Sequence, residues 1–439
     1  MFRWSRLWRP ALAGAAAMFA AVAVAVPASA EPATTVSYPA WASATRYTGL
    51  AFDTCTVPSL TAMQAWGGTS PYHAIGVYVG GQTRTCSQPE LTRSWVGAVS
   101  VLGWRLIPIY KGRQPPCGGR PGDLKIVPAA AASEGTWAAG NASEQAKALG
   151  MLKGSAIYYD MENYTTGDTT CRNAVLTFLS AWTKELHRLG YVSGVYENLN
   201  LGAGDLANVY NSTSYARPDA LWIARYDLSP ALTGWAGIAD SLWAVHQRAK
   251  QFRANSAETY GGVTMTVDAD NLDAPVATTA FGYLVTSGRA IAARSGPRAS
   301  YPTVKVYQAG ASVPVVCQAP GSTWGTSNVW DKLTDGTYVP DFRVDTPSDT
   351  GYSAPITRCR YPYQVTPSNG VNLRAGPSDS SSVTGQLPGG SLAWVVCQQT
   401  GSLVGSTRIW DKIANRQWVS DSFVATPSAT GFSKPAPRC

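Results

Sequence analysis

Histidine is scarce in this chain of 439 residues: His73, His187 and His246 are the whole supply. With no Cys-x-x-Cys and no His-Glu-x-x-His, the usual zinc ligand sets are missing. Nor is there a Gly-x-Ser-x-Gly elbow or a phosphate-cradling glycine loop, which sets aside esterase and nucleotide-binding readings. Beyond the first 30 residues no apolar run is long enough to span a bilayer, and no basic stripe of the kind that follows a nucleic-acid backbone is present. No metal, cofactor or nucleic-acid partner is therefore expected. Phenylalanine is the rarest aromatic, 9 against 16 Trp and 21 Tyr, so most aromatic rings carry a polar tip suited to wet grooves and sugar faces.

What is present begins with an export signal. Arg3, Arg6 and Arg9 precede an apolar run from Ala11 to Val26, and Ala28-Ser29-Ala30 closes it as a cleavage site. Residues 1–30 read as a signal peptide. Their loss would take the formal charge from +8 to a mildly basic +5, because those three arginines are the only charges removed. The product is expected to be secreted, extracellular or bound to a cell wall, without a membrane anchor, and monomeric. Eight Cys remain, an even number in an exported chain, and all are read as paired.

After a Pro/Ala/Ser/Thr-rich linker at 31–45, strand-like and helix-like stretches alternate. Strands are expected at Tyr47–Asp53, Ala74–Gly80, Trp104–Tyr110, Ser155–Glu162, Tyr191–Asn198, Ala220–Tyr226, Ser241–Gln247 and Val263–Asp270. The clearest helical stretches are Pro89–Leu102, Ala142–Leu152 and Cys171–Leu189. The last spaces Val175, Leu176, Leu179, Trp182 and Leu186 along one face, with Gly190 as its C-cap and His187 read as a surface residue. The stretches after strands five and six are short. Eight βα units over 46–278 point to an α/β fold, a (β/α)8 TIM barrel, with a doubly wound sheet as the alternative. In Gly154–Glu162 an apolar strand runs straight into two acids, and period-two alternation puts Tyr158, Asp160 and Glu162 on one face. Acids at the C-terminal end of a buried parallel strand lie where such sheets place their sites.

The rest of the chain repeats at an offset of 80 residues. Cys317 and Cys359 recur as Cys397 and Cys439, and Val329-Trp330-Asp331-Lys332 as Ile409-Trp410-Asp411-Lys412. Residues 283–359 and 363–439 are thus two copies of one module. Short strands, many turn residues and no helical pattern make each a small all-β barrel. Two copies are too few for a solenoid and read as tandem beads.

In the second copy, Gly370-Val371-Asn372-Leu373-Arg374-Ala375-Gly376-Pro377-Ser378 resembles the signature of bacterial SH3 domains, which implies attachment to peptidoglycan. The first copy departs from it, with Ala292 and Ala293 in place of Asn372 and Leu373; disulfide-stapled spacers are the alternative. The barrel resembles family-25 glycoside hydrolases, the Chalaropsis-type lysozymes. It is closer still to the related secreted, glycoside-hydrolase-like barrel of actinobacteria known as domain of unknown function 1906. The likeness rests on Gly49-Leu50-Ala51-Phe52-Asp53, Tyr159-Asp160-Met161-Glu162, Gly194-Val195-Tyr196, Leu221-Trp222-Ile223-Ala224-Arg225-Tyr226 and Val267-Asp268, in that order. The resemblance implies Glu162 as general acid, Asp160 as its partner, and Asp53 and Asp268 in support. Tyr158, Tyr196, Trp222, Tyr226 and Asp270 are expected at the substrate.

Glycoside hydrolysis needs one carboxyl that donates a proton and another that stabilises or attacks the oxocarbenium centre. Crowding of Asp53, Asp160 and Asp268 is expected to raise at least one pKa, with Glu162 deep among aromatics. Retaining, inverting and substrate-assisted routes all stay open. So do two functions: cleavage of a cell-wall glycan, or holding that glycan without cutting it. The run Asp268-Ala269-Asp270-Asn271-Leu272-Asp273 invites calcium but fails EF-hand spacing, with Leu272 at the fifth position and Asp273 where glycine is required. Glu197 is a spare acid of undetermined direction. In a barrel, loops after consecutive strands emerge side by side, so Cys55 is expected to pair with Cys86 and Cys117 with Cys171. The repeat gives Cys317–Cys359 and Cys397–Cys439.

Overall fold

The computed structural model describes residues 45–439 except 287, 354, 355, 414 and 415. The expected signal peptide and all but the last residue of the expected linker lie outside the described residues.

Eight strands close into a barrel: β1 (Thr45–Asp53), β2 (Ala74–Gly80), β3 (Arg105–Tyr110), β4 (Ala156–Asp160), β5 (Val192–Asn198), β6 (Ala220–Ala224), β7 (Arg248–Tyr260) and β8 (Val263–Val276). Helices α1 (Leu60–Gly67), α2 (Arg93–Val101), α3 (Ala131–Ala148), α4 (Thr169–Leu189) and α5 (Gly202–Asn208) fill the successive crossovers from β1 to β6. The longest, α4, forms for reasons visible in its sequence. Asp168 caps it by accepting from the Cys171 N–H at 3.0 Å, and Gly190 ends it in the left-handed region at φ 85°. All five of its expected apolar positions are buried. His187 is buried too: its Nε2 lies 2.7 Å from Asp219 Oδ2, so the surface reading of this histidine is corrected.

The expected α/β barrel is observed, and its closure is a finding. Pairing is parallel from β1 through β7, whereas β8 runs antiparallel to both β7 and β1. The β7–β8 turn is made by Gly261 and Gly262, at φ 56° and 75°, the two positive values that a tight right-twisted hairpin favours. Strand seven is Arg248–Tyr260, not Ser241–Gln247. The segment between β6 and β7 forms no helix; instead the buried Arg248 guanidinium donates to the carbonyls of Leu232, Ala239 and Leu242 and lies over the Trp235 ring.

Two curled antiparallel, SH3-like sheets follow. The first contains β9 (Phe281–Leu284), β10 (Ile291–Arg294), β11 (Thr303–Tyr307), β12 (Ser312–Trp324), β13 (Ser327–Leu333) and β14 (Tyr338–Pro340). The second contains β15 (Tyr361–Gln364), β16 (Val371–Arg374), β17 (Val383–Leu387), β18 (Leu392–Val404), β19 (Thr407–Ile413) and β20 (Trp418–Ser420). Their orders, β9-β12-β13-β14-β10-β11 and β15-β18-β19-β20-β16-β17, are the same. All four disulfides pair as expected.

The copies do not hang as beads. The apolar filling of the barrel interior, including Ala51, Ala156, Ala220 and Leu272, is continuous with the core of the second module and with Val316, Ala319 and Trp330 of the first, whose Phe281, Ile291, Val313 and Leu333 form a cluster of their own. Arg217 stacks on Tyr210 and donates to the Gly390 carbonyl, and the Leu392 N–H donates to Gln247 Oε1 at 3.2 Å. Trp394 meets both the His246 ring and the Arg46 guanidinium.

Candidate functional site

Strand alternation sends Ala51 and Asp53, Tyr158 and Asp160, and Asp268, Asp270 and Leu272 inward, while Phe52, Tyr159 and Ala269 pack against the surrounding helices and loops. Because β8 is antiparallel to β1, its early residue Asp268 stands in register with Asp53, the last residue of β1. Both acids therefore reach the same end of the barrel. That end opens as a cleft of about 330 Å³, lined by Asp53, Asp160, Glu162, Asp268, Tyr196, Trp222 and Tyr226 together with Tyr78, Lys111, Arg120, Gln251 and Asn255.

Two expected substrate contacts lie elsewhere. Tyr158 is fully buried, donates to the Pro275 carbonyl at 2.8 Å and packs edge-on against Trp222. Asp270 is also fully buried and accepts from Trp222 Nε1 at 3.1 Å. Both face inward as expected but lie beneath the cleft floor. Glu162 stands past the end of β4 at the rim, its side chain 23% exposed, with its N–H bonded to Gln114 Oε1 at 2.8 Å. The depth expected for it belongs to Asp53 and Asp160, each 4% exposed.

Three side chains that the acid pattern did not reveal organise the cleft. Lys111, the next inward position after Ile107 and Ile109, places Nζ 2.9 Å from Asp160 Oδ2 and 2.5 Å from Glu162 Oε1. Arg120 approaches Glu162 at 3.5 Å. Gln251 donates from Nε2 to Asp53 at 2.6 Å and to Asp268 at 3.4 Å, while its Oε1 accepts from the Tyr196 and Tyr226 hydroxyls at 2.8 and 3.0 Å. Those four partners fix which way the amide points.

Crowded burial sets the protonation. Asp53 is pushed up to about 8, by burial first and then by Asp268 and Asp160, against the Gln251 hydrogen bond. Burial raises Asp160 despite Lys111, and raises Asp268 despite the Asn255 N–H. Asp270 is raised well above the ordinary carboxylate range by burial and by Asp53 and Asp268. For Lys111 burial acts downward, but Asp160 and Glu162 outweigh it and the net shift is upward. The cleft thus combines carboxyls whose pKa values burial raises, that of Asp53 to about 8, with an ion-paired acid at its rim, an arrangement able to give and take protons at a bound ligand.

Glu197 points away from the cleft. It is fully buried behind β5, neither carboxyl oxygen has a hydrogen-bond partner, and burial raises its pKa well above the usual value. The run from Asp268 to Asp273 lies within β8, so Asp268 and Asp270 face inward while Asp273 lies on the opposite face, bonded to His246 and Thr48.

Fold and site together define an α/β barrel with an acidic cleft at the strand ends. Residues 64–272 match the family model of the Rv2525c-like, glycoside hydrolase-like domain, and the barrel is a glycoside hydrolase-like domain. Among solved structures the chain is similar to the Tat-secreted protein Rv2525c of Mycobacterium tuberculosis, solved with L-tartrate: 17% identity, 52% of this chain and 96% of that one covered, TM-score 0.37. Two uncharacterised proteins of Bacillus subtilis are similar over short stretches. YraI is 36% identical over 78 residues, 16% of this chain and 66% of its own length. YraJ is 39% identical over 57 residues, 12% of this chain and 48% of its own length.

Proposed function

We propose that the chain is an exported enzyme that cleaves a cell-wall glycan by acid/base chemistry in the barrel cleft. The observation that carries this reading is the convergence of Asp53, Asp160, Glu162 and Asp268 on one opening flanked by Tyr196, Trp222 and Tyr226. Glu162 is the acid of this proposal because it stands at the rim, where its carboxyl reaches a bound sugar. Asp160, positioned by Lys111, is its partner. Asp53 and Asp268 support from the floor, and the exposed Tyr226 ring offers a face to the sugar. The family match over 64–272 supports the same reading. Four disulfides suit an oxidising compartment outside the cytoplasm. The SH3-like modules serve attachment to peptidoglycan, and the second presents a groove with Asn372, Arg374 and Phe423 in its walls.

One observation favours holding without cutting: Lys111 engages both Asp160 and Glu162, tying down the oxygens that would act on the substrate. Incubation with purified peptidoglycan and assay of new reducing ends separates the readings. Release by the wild type and none by Glu162→Gln is expected. Binding by both proteins with release by neither assigns the cleft to holding, and equal turnover by the variant removes Glu162 from the acid role.

A further inference from the structure

Tryptophan is almost entirely hidden in residues 45–439. Of thirteen residues, eleven are buried and Trp324 is half-buried, whereas Trp137 is 51% exposed. Tyr226 is the other large aromatic of comparable exposure among the described residues, and it lines the cleft. Trp137 lies on the first turns of α3, one turn beyond Ser133 and on the same face. Together with Gln82, Arg113 and Glu134 these two residues border an open hollow of about 330 Å³.

The polar walls of this hollow are held in place. Arg113 Nε lies 3.3 Å from Glu134 Oε1, and its Nη1 donates to the Lys125 carbonyl at 2.7 Å. Glu134 also accepts from the Val127 N–H at 2.9 Å, and the Arg113 carbonyl accepts from the Tyr159 hydroxyl at 2.7 Å. The hollow and the cleft share their loops: Gln82 borders one and Arg84 the other, as do Arg113 and Lys111. Between them Thr83 pins the two loops, its hydroxyl lying 3.2 and 2.7 Å from the Lys111 and Gly112 carbonyl oxygens. A flat apolar ring beside fixed hydrogen-bonding groups matches a pyranose, which has a C–H face and a rim of hydroxyls.

We propose that the hollow beside Trp137 is a second sugar subsite, where the indole stacks on one pyranose of a glycan whose neighbouring residues occupy the cleft. This rests on the glycan reading of the cleft. Titrating the full exported chain with chitobiose and chitohexaose tests it. The hexamer should bind wild type more tightly than the dimer. Trp137→Ala should weaken the hexamer about tenfold, the scale of one lost aromatic stacking contact, with the dimer unchanged, and Trp137→Phe should restore most of the affinity. Because Trp137 is exposed, its removal leaves the fold intact. If Trp137→Ala binds the hexamer like wild type while Tyr226→Ala weakens it, the subsite is overturned and the cleft reading stands. If Trp137→Ala weakens the hexamer and Tyr226→Ala weakens neither sugar, Trp137 holds a sugar whose chain does not enter the cleft, and the subsite as proposed falls together with the cleft reading. Binding of neither sugar to wild type overturns both.

Discussion

In the barrel the Gln251 amide donates to Asp53 and Asp268; in the two C-terminal sheets Gln318 donates to Asp331 and Asp341, and Gln398 to Asp411 and Asp421. The same device, an amide N–H₂ shared by two aspartates, thus occurs three times. Its other end differs. Gln251 Oε1 accepts from tyrosine hydroxyls that line the open cleft, whereas Gln318 and Gln398 accept the Ser353 and Ser433 N–H groups at 2.7 and 2.6 Å, which fastens a chain segment in place. The module aspartates are fully buried or nearly so, and one oxygen of each has no partner. A buried, proton-holding carboxyl pair is therefore no mark of a site. What makes the barrel pair a candidate is the adjoining volume, with Lys111 and Arg120 at its edge.

The sharpest way to break this comparison is catalytic. Asp160→Asn should cut reducing-end release about 10³-fold, within the range for a lost acid/base group, while Asp331→Asn leaves the rate within about twofold. A comparable loss from Asp331→Asn would draw the modules into the chemistry. Next in size is stability. Gln318→Ala strands two buried carboxyls and a backbone N–H and should cost about 3 kcal/mol, whereas Gln251→Ala, where water can enter, should cost about 1 kcal/mol. Urea unfolding of both variants checks the contrast, and equal losses would mean that the cleft pair is as sealed as the module pair.

Titration should divide the two regions further. Burial pushes Asp341 and Asp421 up to about 6 and Asp53 up to about 8. Each binds its proton more tightly folded than unfolded, so each contributes its stability in full below the ordinary carboxylate pKa and loses it as pH rises through the folded value. All three contributions begin to fall near the ordinary carboxylate pKa of about 4; those of Asp341 and Asp421 level off above about pH 6, whereas that of Asp53 goes on falling to about pH 8. The stability difference between wild type and the Asp341→Asn, Asp421→Asn variant, read by urea unfolding, should therefore stop changing above about pH 6, and that between wild type and Asp53→Asn only above about pH 8. Asp341→Asn with Asp421→Asn should flatten the lower window and Asp53→Asn the upper. Levelling off of both differences at the same pH would deny the separation.

Much of this organisation was legible from period and order. Alternation in Gly154–Glu162 put Asp160 inward, strand order gave the barrel disulfides, and the 80-residue offset gave the module ones. Strand seven was not legible, because Arg248 and Lys250 break the apolar pattern that marks a buried strand; both are buried and paired, with Asp240 and Asp227. Missing that strand meant missing Gln251. Period two also gives a face but not a depth, which is why Tyr158 and Asp270 were expected one layer too high. Lys111 was overlooked because the pattern sought was acidic, although it follows Ile107 and Ile109 at the same spacing. Docking of the modules joins Arg217 to Gly390 and Gln247 to Leu392, pairs too far apart in the chain for any local pattern to carry.

Glu197 supplies the limiting case of the comparison, a buried carboxyl with neither an opening nor a bridging amide. Gly202 packs directly against it, leaving no space for a side chain there, and Asp205, engaged by the Tyr164 hydroxyl at 2.9 Å, adds to the repulsion that burial begins. Burial raises the Glu197 pKa well above the ordinary carboxylate range, so folding favours its neutral form and bears the desolvation of a carboxyl sealed in the protein. Glu197→Met, close in shape and without polar atoms, should therefore stabilise the fold by about 1 kcal/mol at neutral pH. The gain should grow as pH rises, since the folded wild type loses its proton-linked stability in that direction. Neither glycan binding nor reducing-end release should change, because Glu197 faces away from the cleft. Thermal melts of wild type and variant at pH 6 and pH 9 decide it. A variant less stable at both values would mean that the carboxyl holds a structural partner, and a change in glycan affinity would connect this sealed acid to the cleft.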